Sequence, residues 1–159
     1  MNPIKMIGGL AAALLLAQAP AARAADGQGD LREIRALFLR QAAAEAAHDI
    51  ATLDTVLAHA ASGRPDPVSF VARAYQFWGR EAVMRHFEKT FEGTWGFEPE
   101  VEAMRIIPIG PDAAQIFVPA RVTFAPGGTV TTQPFLINEF AIRTAEGWRI
   151  AAIVPVPAS

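Results

Sequence analysis

The chain of 159 residues is long enough for one domain and leaves little room for a second. Hydrophobic residues make up 52% of the sequence and charged residues 19%, which excludes a disordered chain. The lack of cysteine excludes disulfides, thiolate metal sites and cysteine nucleophiles, and a formal charge of −2 argues against a general nucleic-acid binder.

The first 24 residues have the pattern of a secretory signal peptide. Lys5 supplies a positive charge, residues 6–17 form an uncharged apolar stretch, and Ala22 and Ala24 are small residues at the −3 and −1 positions of a cleavage site. The alternative is a membrane anchor, but the apolar stretch is well short of the roughly 20 residues that span a bilayer. We therefore predict cleavage after Ala24, a periplasmic or secreted protein, and no membrane segment after cleavage.

Helical patterns fill the first part of the remaining chain. After a flexible leader at residues 25–29, Asp30 and Glu33 have the spacing of a capping box, and apolar residues follow at helical intervals. Asp49 is predicted to cap a second helix. Gly79 precedes a third helix with an apolar stripe.

Strand patterns dominate the rest. One run, at residues 68–77, lies before the third helix, and the others are predicted at 98–109, 113–124, 129–143 and 148–154. Turn residues separate the later runs. The order predicts an α+β fold in which helices gather on one side of an antiparallel sheet.

Both faces of the predicted sheet are apolar. Ile116 and Val118 alternate with Phe117 and Pro119, and the last two strands show the same property. A small sheet with helices on one face only would keep its second face polar. We therefore expect a second copy of the chain to cover that face, giving a homodimer through the sheet.

Three phrases resemble the nuclear-transport-factor-2-like superfamily, and its SnoaL-like, ketosteroid-isomerase-like branch in particular. They are AEAAHDIATLDTVL after the first helix, FWGREAVMRHF around a glycine, and the closing strand EGWRIAAIVPVP. The resemblance implies a single domain over residues 30–157 and the subtype of small exported SgcJ/EcaC-type proteins. It also implies a cone-shaped barrel, in which a curved antiparallel sheet wraps around three N-terminal helices and a pocket for a small apolar ligand lies at the open end. Enzymes and plain binders share such scaffolds, so the fold does not decide the function.

Two residues are candidates for acid–base catalysis. Glu139 lies among apolar residues of one strand face, and a tight hairpin at residues 143–148 would place it near Ala152 or Val154. Desolvation there would raise the pKa of Glu139 and make it a general base near neutral pH. His86, on the flank of the third helix's apolar stripe, is the second candidate. The alternatives are an exposed or ion-paired glutamate and a partly exposed histidine.

Six further side chains are candidates for ligand contacts. The aromatic ones flank the third helix and would stack on a flat ligand, and the polar ones interrupt apolar strands and would orient an oxygenated ligand. A simple hairpin register pairs Pro119 with Pro134, but a bulge would exchange the faces, so the inward-facing set stays open. Core packing and interface hydrogen bonds are the alternatives. The six are Tyr75, Trp78, Trp95, Arg121, Gln133 and Asn138.

No pattern indicates a cofactor or a metal. The three histidines are scattered, and the sequence has no dinucleotide, flavin or phosphate-loop fingerprint and no nucleophile elbow. The Tyr and Asp set of ketosteroid isomerases has no residue-by-residue match. Three functions remain open: an exported homodimer that binds a small apolar molecule, a cofactor-independent isomerase or cyclase-type enzyme with a buried carboxylate as base, and a dimeric interaction module without a ligand.

Overall fold

The computed structural model describes residues 19–60 and 63–158, with side chains from residue 27 onward. The apolar stretch of the predicted signal peptide lies outside these residues, so cleavage after Ala24 stays a prediction. Within the described part, no helix is long and apolar enough to cross a membrane.

Three α-helices are described: α1 (Ala19–Ala47), α2 (Ile50–Val56) and α3 (Arg80–Phe91). Asp49 caps α2 as predicted, because its carboxylate accepts a hydrogen bond from the backbone N–H of Thr52 at 3.0 Å. The predicted helix start at Asp30 is wrong.

Asp30 lies inside α1, which also runs through the predicted leader at residues 25–29. Its carboxylate pairs with Arg143 at 2.5 Å and accepts from the indole of Trp148 at 3.3 Å. Asp30 therefore ties α1 to the end of the sheet instead of capping a helix.

The described residues form seven strands in one curved sheet that does not close. Their order is β2-β1-β7-β6-β5-β3, and β4 also pairs with β5. Their bounds are β1 (Ser69–Ala72), β2 (Tyr75–Trp78), β3 (Trp95–Pro99), β4 (Arg105–Pro108), β5 (Ala113–Phe124), β6 (Thr131–Thr144) and β7 (Gly147–Pro157).

Two runs predicted as single strands are each divided. The run at 68–77 is the hairpin β1–β2, which turns at residues 73–74. The run at 98–109 becomes β3 and β4, separated by a 3-10 turn at Val101–Ala103. Pro99 ends β3, and a proline has no N–H with which to continue a ladder.

The α+β class is confirmed, and the prediction of a purely antiparallel sheet is wrong at one pair. β1 runs parallel to β7, with Phe70 opposite Ile153. The chain reaches this edge from α2, where Leu57 already forms a parallel bridge to Ile150. The chain that follows α2 therefore already runs parallel to β7 before β1 begins.

Register differs from the sequence prediction in two places. Pro119 lies opposite Leu136, not Pro134, because the connection between β5 and β6 is longer than the assumed hairpin. A bulge between Phe140 and Ala141 shifts the pairing of β6 with β7. Glu139 therefore lies opposite Ile153, where a tight hairpin had placed Ala152 or Val154.

The helices cover the inner face of the sheet. Phe38, Leu53 and Phe87 from the three helices pack in one buried cluster with sheet residues such as Ile116 and Ile150. The outer face keeps apolar side chains in solvent: Leu136, Phe140 and Val156 are 36%, 37% and 43% exposed.

Candidate functional site

A cavity of about 310 Å³ lies between the inner face of the sheet and helices α1 and α3. Every strand except β4 contributes to its lining, together with side chains of both helices. Seven lining residues are aromatic: Phe70, Tyr75, Phe87, Trp95, Phe97, Phe124 and Phe135. A larger and more polar groove of about 1210 Å³ runs along α1 beside Arg143 and Trp148, but it contains none of the candidate site residues.

Glu139 lies on the inner face of β6 and lines the cavity. Its side chain is only 1% exposed, and isoleucines lie opposite it on both neighbouring strands: Ile116 on β5 and Ile153 on β7. The Gln41 side-chain N–H donates to Glu139 Oε1 at 2.7 Å, whereas Oε2 has no hydrogen-bond partner in the described part of the chain.

Burial and, to a smaller extent, the nearby charge of Glu45 raise the pKa of Glu139 to about 8, although the hydrogen bond from Gln41 lowers it. Desolvation is the largest cause because, apart from the Gln41 hydrogen bond, the apolar neighbours do not replace the water that the ionised carboxylate loses. The group is thus a weak acid whose protonation changes near the pH at which a general base works best.

Glu45, on α1, is the second buried carboxyl of the cavity. Gln41 Nε2 also donates to Glu45 Oε1, at 3.0 Å, so one amide group bridges both carboxyls. Burial raises the pKa of Glu45 to about 7, partly offset by Gln41 and by the nearby Trp95 indole. Because the two carboxyls interact, they titrate as a pair.

Gln41 and Glu45 were not predicted from the sequence. Their spacing of four residues puts both on the same face of α1 as Leu37 and Phe38. Two polar residues on an otherwise buried helix face were the signal that could have found them.

His86 lines the cavity from α3. Its ring stacks on Phe77, with 4.5 Å between ring centroids and 18° between planes, and lies 4.5 Å from the ring of Phe70. Desolvation lowers the pKa of His86, which favours the neutral imidazole at neutral pH.

Two predicted aromatic residues also reach the cavity. Tyr75 is 59% exposed and lies within 6.4 Å of the Phe77 ring, and Trp95 is half-buried. The indole N–H of Trp95 is buried without a hydrogen-bond partner in the described residues, although it lies close enough to Glu45 to lower that pKa. It is therefore an unused donor beside the carboxyl pair.

The structure places the other four predicted residues outside the cavity lining. Trp78 is 66% exposed. Arg121 and Asn138 lie on the outer face, where Asn138 accepts from Gln115 at 3.1 Å. Gln133 is exposed near the start of β6. No group of three or more metal-ligating side chains lies together in the described residues.

The family model of the SnoaL-like domain matches residues 34–154. The chain belongs to the SnoaL-like family. This result confirms the superfamily and branch that the sequence phrases indicated, while the SgcJ/EcaC subtype stays a prediction. No curated protein sequence matches this SnoaL-like chain.

Solved structures share the fold. A nuclear-transport-factor-2-like protein with a cystatin-like fold from Novosphingobium aromaticivorans has a TM-score of 0.70 at 14% identity, covering 91% of this chain and 92% of its own. A proposed dehydratase of the same family from Streptomyces avermitilis has a TM-score of 0.68 at 16% identity, with coverage of 82% and 97%. A ketosteroid isomerase-like protein from Erwinia carotovora atroseptica has a TM-score of 0.65 at 16% identity, again covering 82% and 97%. Such low identities show the fold alone.

Proposed function

We propose that this SnoaL-like chain binds a small, mainly apolar molecule in the cavity between the sheet and the helices. The supporting observation is an apolar cavity of about 310 Å³ with the Glu139 carboxyl among its lining groups. Ligand sites are commonly apolar hollows with a few placed polar groups, and this volume lies at the lower end of their usual range. A cavity of this size argues against an interaction module whose pocket is filled by side chains.

We further propose that the protein works after export, as a homodimer. The signal-peptide pattern before Ala25 supports export. The exposed apolar residues Leu136, Phe140 and Val156 support a dimer, because a second copy would remove this outer-face patch from water.

Native mass spectrometry of protein purified from its own source tests the ligand. We expect the wild type to carry a small molecule that denaturation releases. Val122 lines the cavity, so Val122→Phe should fill part of it and lose that mass. Val130→Phe adds the same group at an exposed loop position and should retain it. Protein that is empty in all three forms contradicts the proposal.

The second candidate is a cofactor-independent enzyme that moves a proton next to a carbonyl, as an isomerase or cyclase does. It is favoured by Glu139 Oε2, a buried carboxyl oxygen without a hydrogen-bond partner in the described chain, on a group whose pKa is near 8. The relatives named as a ketosteroid isomerase-like protein and a proposed dehydratase agree with this class by analogy of fold alone.

Deuterium exchange at the α-carbon of 2-tetralone, followed by NMR in D₂O, tests proton abstraction with a flat ketone. The wild type should speed exchange, with a rate that rises with pH and levels off above about 8, as the base ionises. Glu139→Gln should abolish the acceleration, and Glu88→Gln, on the exposed side of α3, should not. Equal rates for all three proteins would remove this candidate.

A further inference from the structure

Ionisation of the cavity's side chains near neutral pH gives negative charge only. Four ionisable side chains line it: Glu45 from α1, Tyr75 from β2, His86 from α3 and Glu139 from β6. Two are carboxyls, the histidine is held neutral by desolvation, and no lysine or arginine is among the described lining residues. An anionic ligand would therefore find no counter-ion among the described lining residues, and burying an unpaired charge in an apolar site costs free energy.

The walls of the cavity are aromatic. Seven aromatic rings line it, including Phe70 and Phe87 at 5.8 Å from each other in an edge-to-face pair. Ring faces carry partial negative charge and attract a cation that lies over them, more strongly where water is excluded. The aromatic rings and the carboxyls therefore both favour a positively charged ligand.

Two oxygens at the floor of the cavity, Gln41 Oε1 and Glu139 Oε2, lack a donor in the described residues, and the nearby Trp95 indole N–H lacks an acceptor. Gln41 can donate two N–H groups, and both are used, one on each carboxyl. Of the two unpaired oxygens, only Glu139 Oε2 belongs to a residue that lines the cavity. A charged donor from a ligand would complete it, because hydrogen bonds between an ammonium and a carboxylate are stronger than neutral ones.

We propose that the molecule bound in this cavity is a small organic cation, a protonated amine with an apolar body, whose ammonium group pairs with Glu139 while the aromatic rings surround the body. This inference rests on the proposed function and names its ligand class. It is distinct from the enzymatic candidate, since pairing with an ammonium needs no chemical step.

Proton release accompanies such binding. At pH 7 most of Glu139 is protonated in the free protein, because its pKa is about 8. Pairing with an ammonium favours the carboxylate, so the carboxyl loses its proton to the buffer on binding. Affinity for an amine should therefore rise between pH 6 and pH 8, and Glu45 will contribute through its coupling to Glu139.

Three probes of one shape separate the possible charges: 1-naphthylmethylamine, 1-naphthylmethanol and 1-naphthoate, measured by calorimetry at pH 7. We expect the amine to bind about 10-fold tighter than the alcohol, a difference of about 1.4 kcal/mol, and the naphthoate not to bind. Amine binding should also be more exothermic in Tris than in phosphate, because Tris takes up the released proton with a large heat.

Two variants test whether the preference for the amine depends on Glu139. Glu139→Gln should remove the preference for the amine and keep the affinity for the alcohol, which also shows that the variant is folded. Glu88→Gln should behave like the wild type. Equal affinities for amine and alcohol would overturn the inference and leave the apolar binding site standing. Failure of all three probes would also overturn it, while native mass spectrometry decides separately whether the cavity holds a molecule.

Discussion

Two carboxyls and one amide occupy positions between α1 and the sheet that are otherwise filled by hydrocarbon. Gln41, Glu45 and Glu139 are all nearly inaccessible to water. Burying ionisable groups is costly unless they are paired, and here one amide is shared between two acids. Such an arrangement costs stability, which is consistent with a site that serves a ligand.

The pH dependence of folding stability tests this burial. Glu139 has a folded pKa of about 8 against an ordinary 4.5, so the folded state holds this proton more tightly than the unfolded state. Stability is then highest below the ordinary pKa and falls as pH rises through 4.5 towards 8, by up to about 1.4 kcal/mol per pH unit for each such carboxyl. Urea unfolding at pH 5, 6, 7 and 8 should show this loss.

Two glutamine variants should show how much of that pH dependence comes from Glu139. Glu139→Gln cannot ionise, so its stability should fall less steeply between pH 5 and pH 8 than that of the wild type. Glu88→Gln removes an exposed carboxyl and should follow the wild-type curve. Parallel curves for the wild type and Glu139→Gln would show that Glu139 is not a buried acid.

Part of the site was predictable from the sequence. Glu139 was predictable because its neighbours on the same strand face are apolar. The two-residue periodicity of a strand therefore indicates a buried carboxyl at this position. Glu45 and Gln41 were missed because an alanine-rich helix does not make its buried face obvious. Arg121 and Asn138 face outward, and the sequence left the face open because Pro119 and Pro134 allowed for a bulge, whereas the β5–β6 ladder pairs without one.

At the scale of elements, the sequence predicted helix caps and strand bounds correctly where the interactions involve residues close together in the chain. Asp49 caps α2 through the N–H of a residue three positions on, so the sequence contained the whole interaction. β5, at Ala113–Phe124, matches its predicted run because its turns and its alternation are both clear. The parallel pairing of β1 with β7 depends on residues far apart in the chain and could not be predicted locally.

The Asp49 cap gives a stability prediction for α2. Asp49→Ala removes the acceptor for the Thr52 N–H and should lower the free energy of unfolding by about 1 kcal/mol. Asp49→Asn keeps a side-chain oxygen that can accept the same bond and should cost much less. Urea unfolding of the three proteins at one pH measures the difference, and an Asn variant as unstable as the Ala variant would contradict the capping role.

At the scale of the whole molecule, the apolar patch on the outer face of the sheet leads us to expect a homodimer. Light scattering coupled to size-exclusion chromatography should give a dimer for the purified protein. Phe140→Lys places a charge in the apolar patch, where burial against a second copy would be unfavourable, and should give a monomer.

Val130→Lys, at an exposed loop position, serves as the control and should remain a dimer. A wild-type monomer at micromolar concentration would remove the proposed interface. Persistence of the Phe140→Lys dimer would place any interface elsewhere on the molecule.

The central claim is that a coupled carboxyl pair belongs to an apolar ligand cavity. Carbon-13 NMR of labelled glutamate carboxyls, titrated from pH 3 to pH 10, tests it most directly. Two resonances should titrate near 7 and 8, apart from the exposed glutamates. One of them should be missing in Glu139→Gln, and both should shift when a probe binds. All glutamates titrating between about 4 and 5, as free carboxyls do, would contradict it.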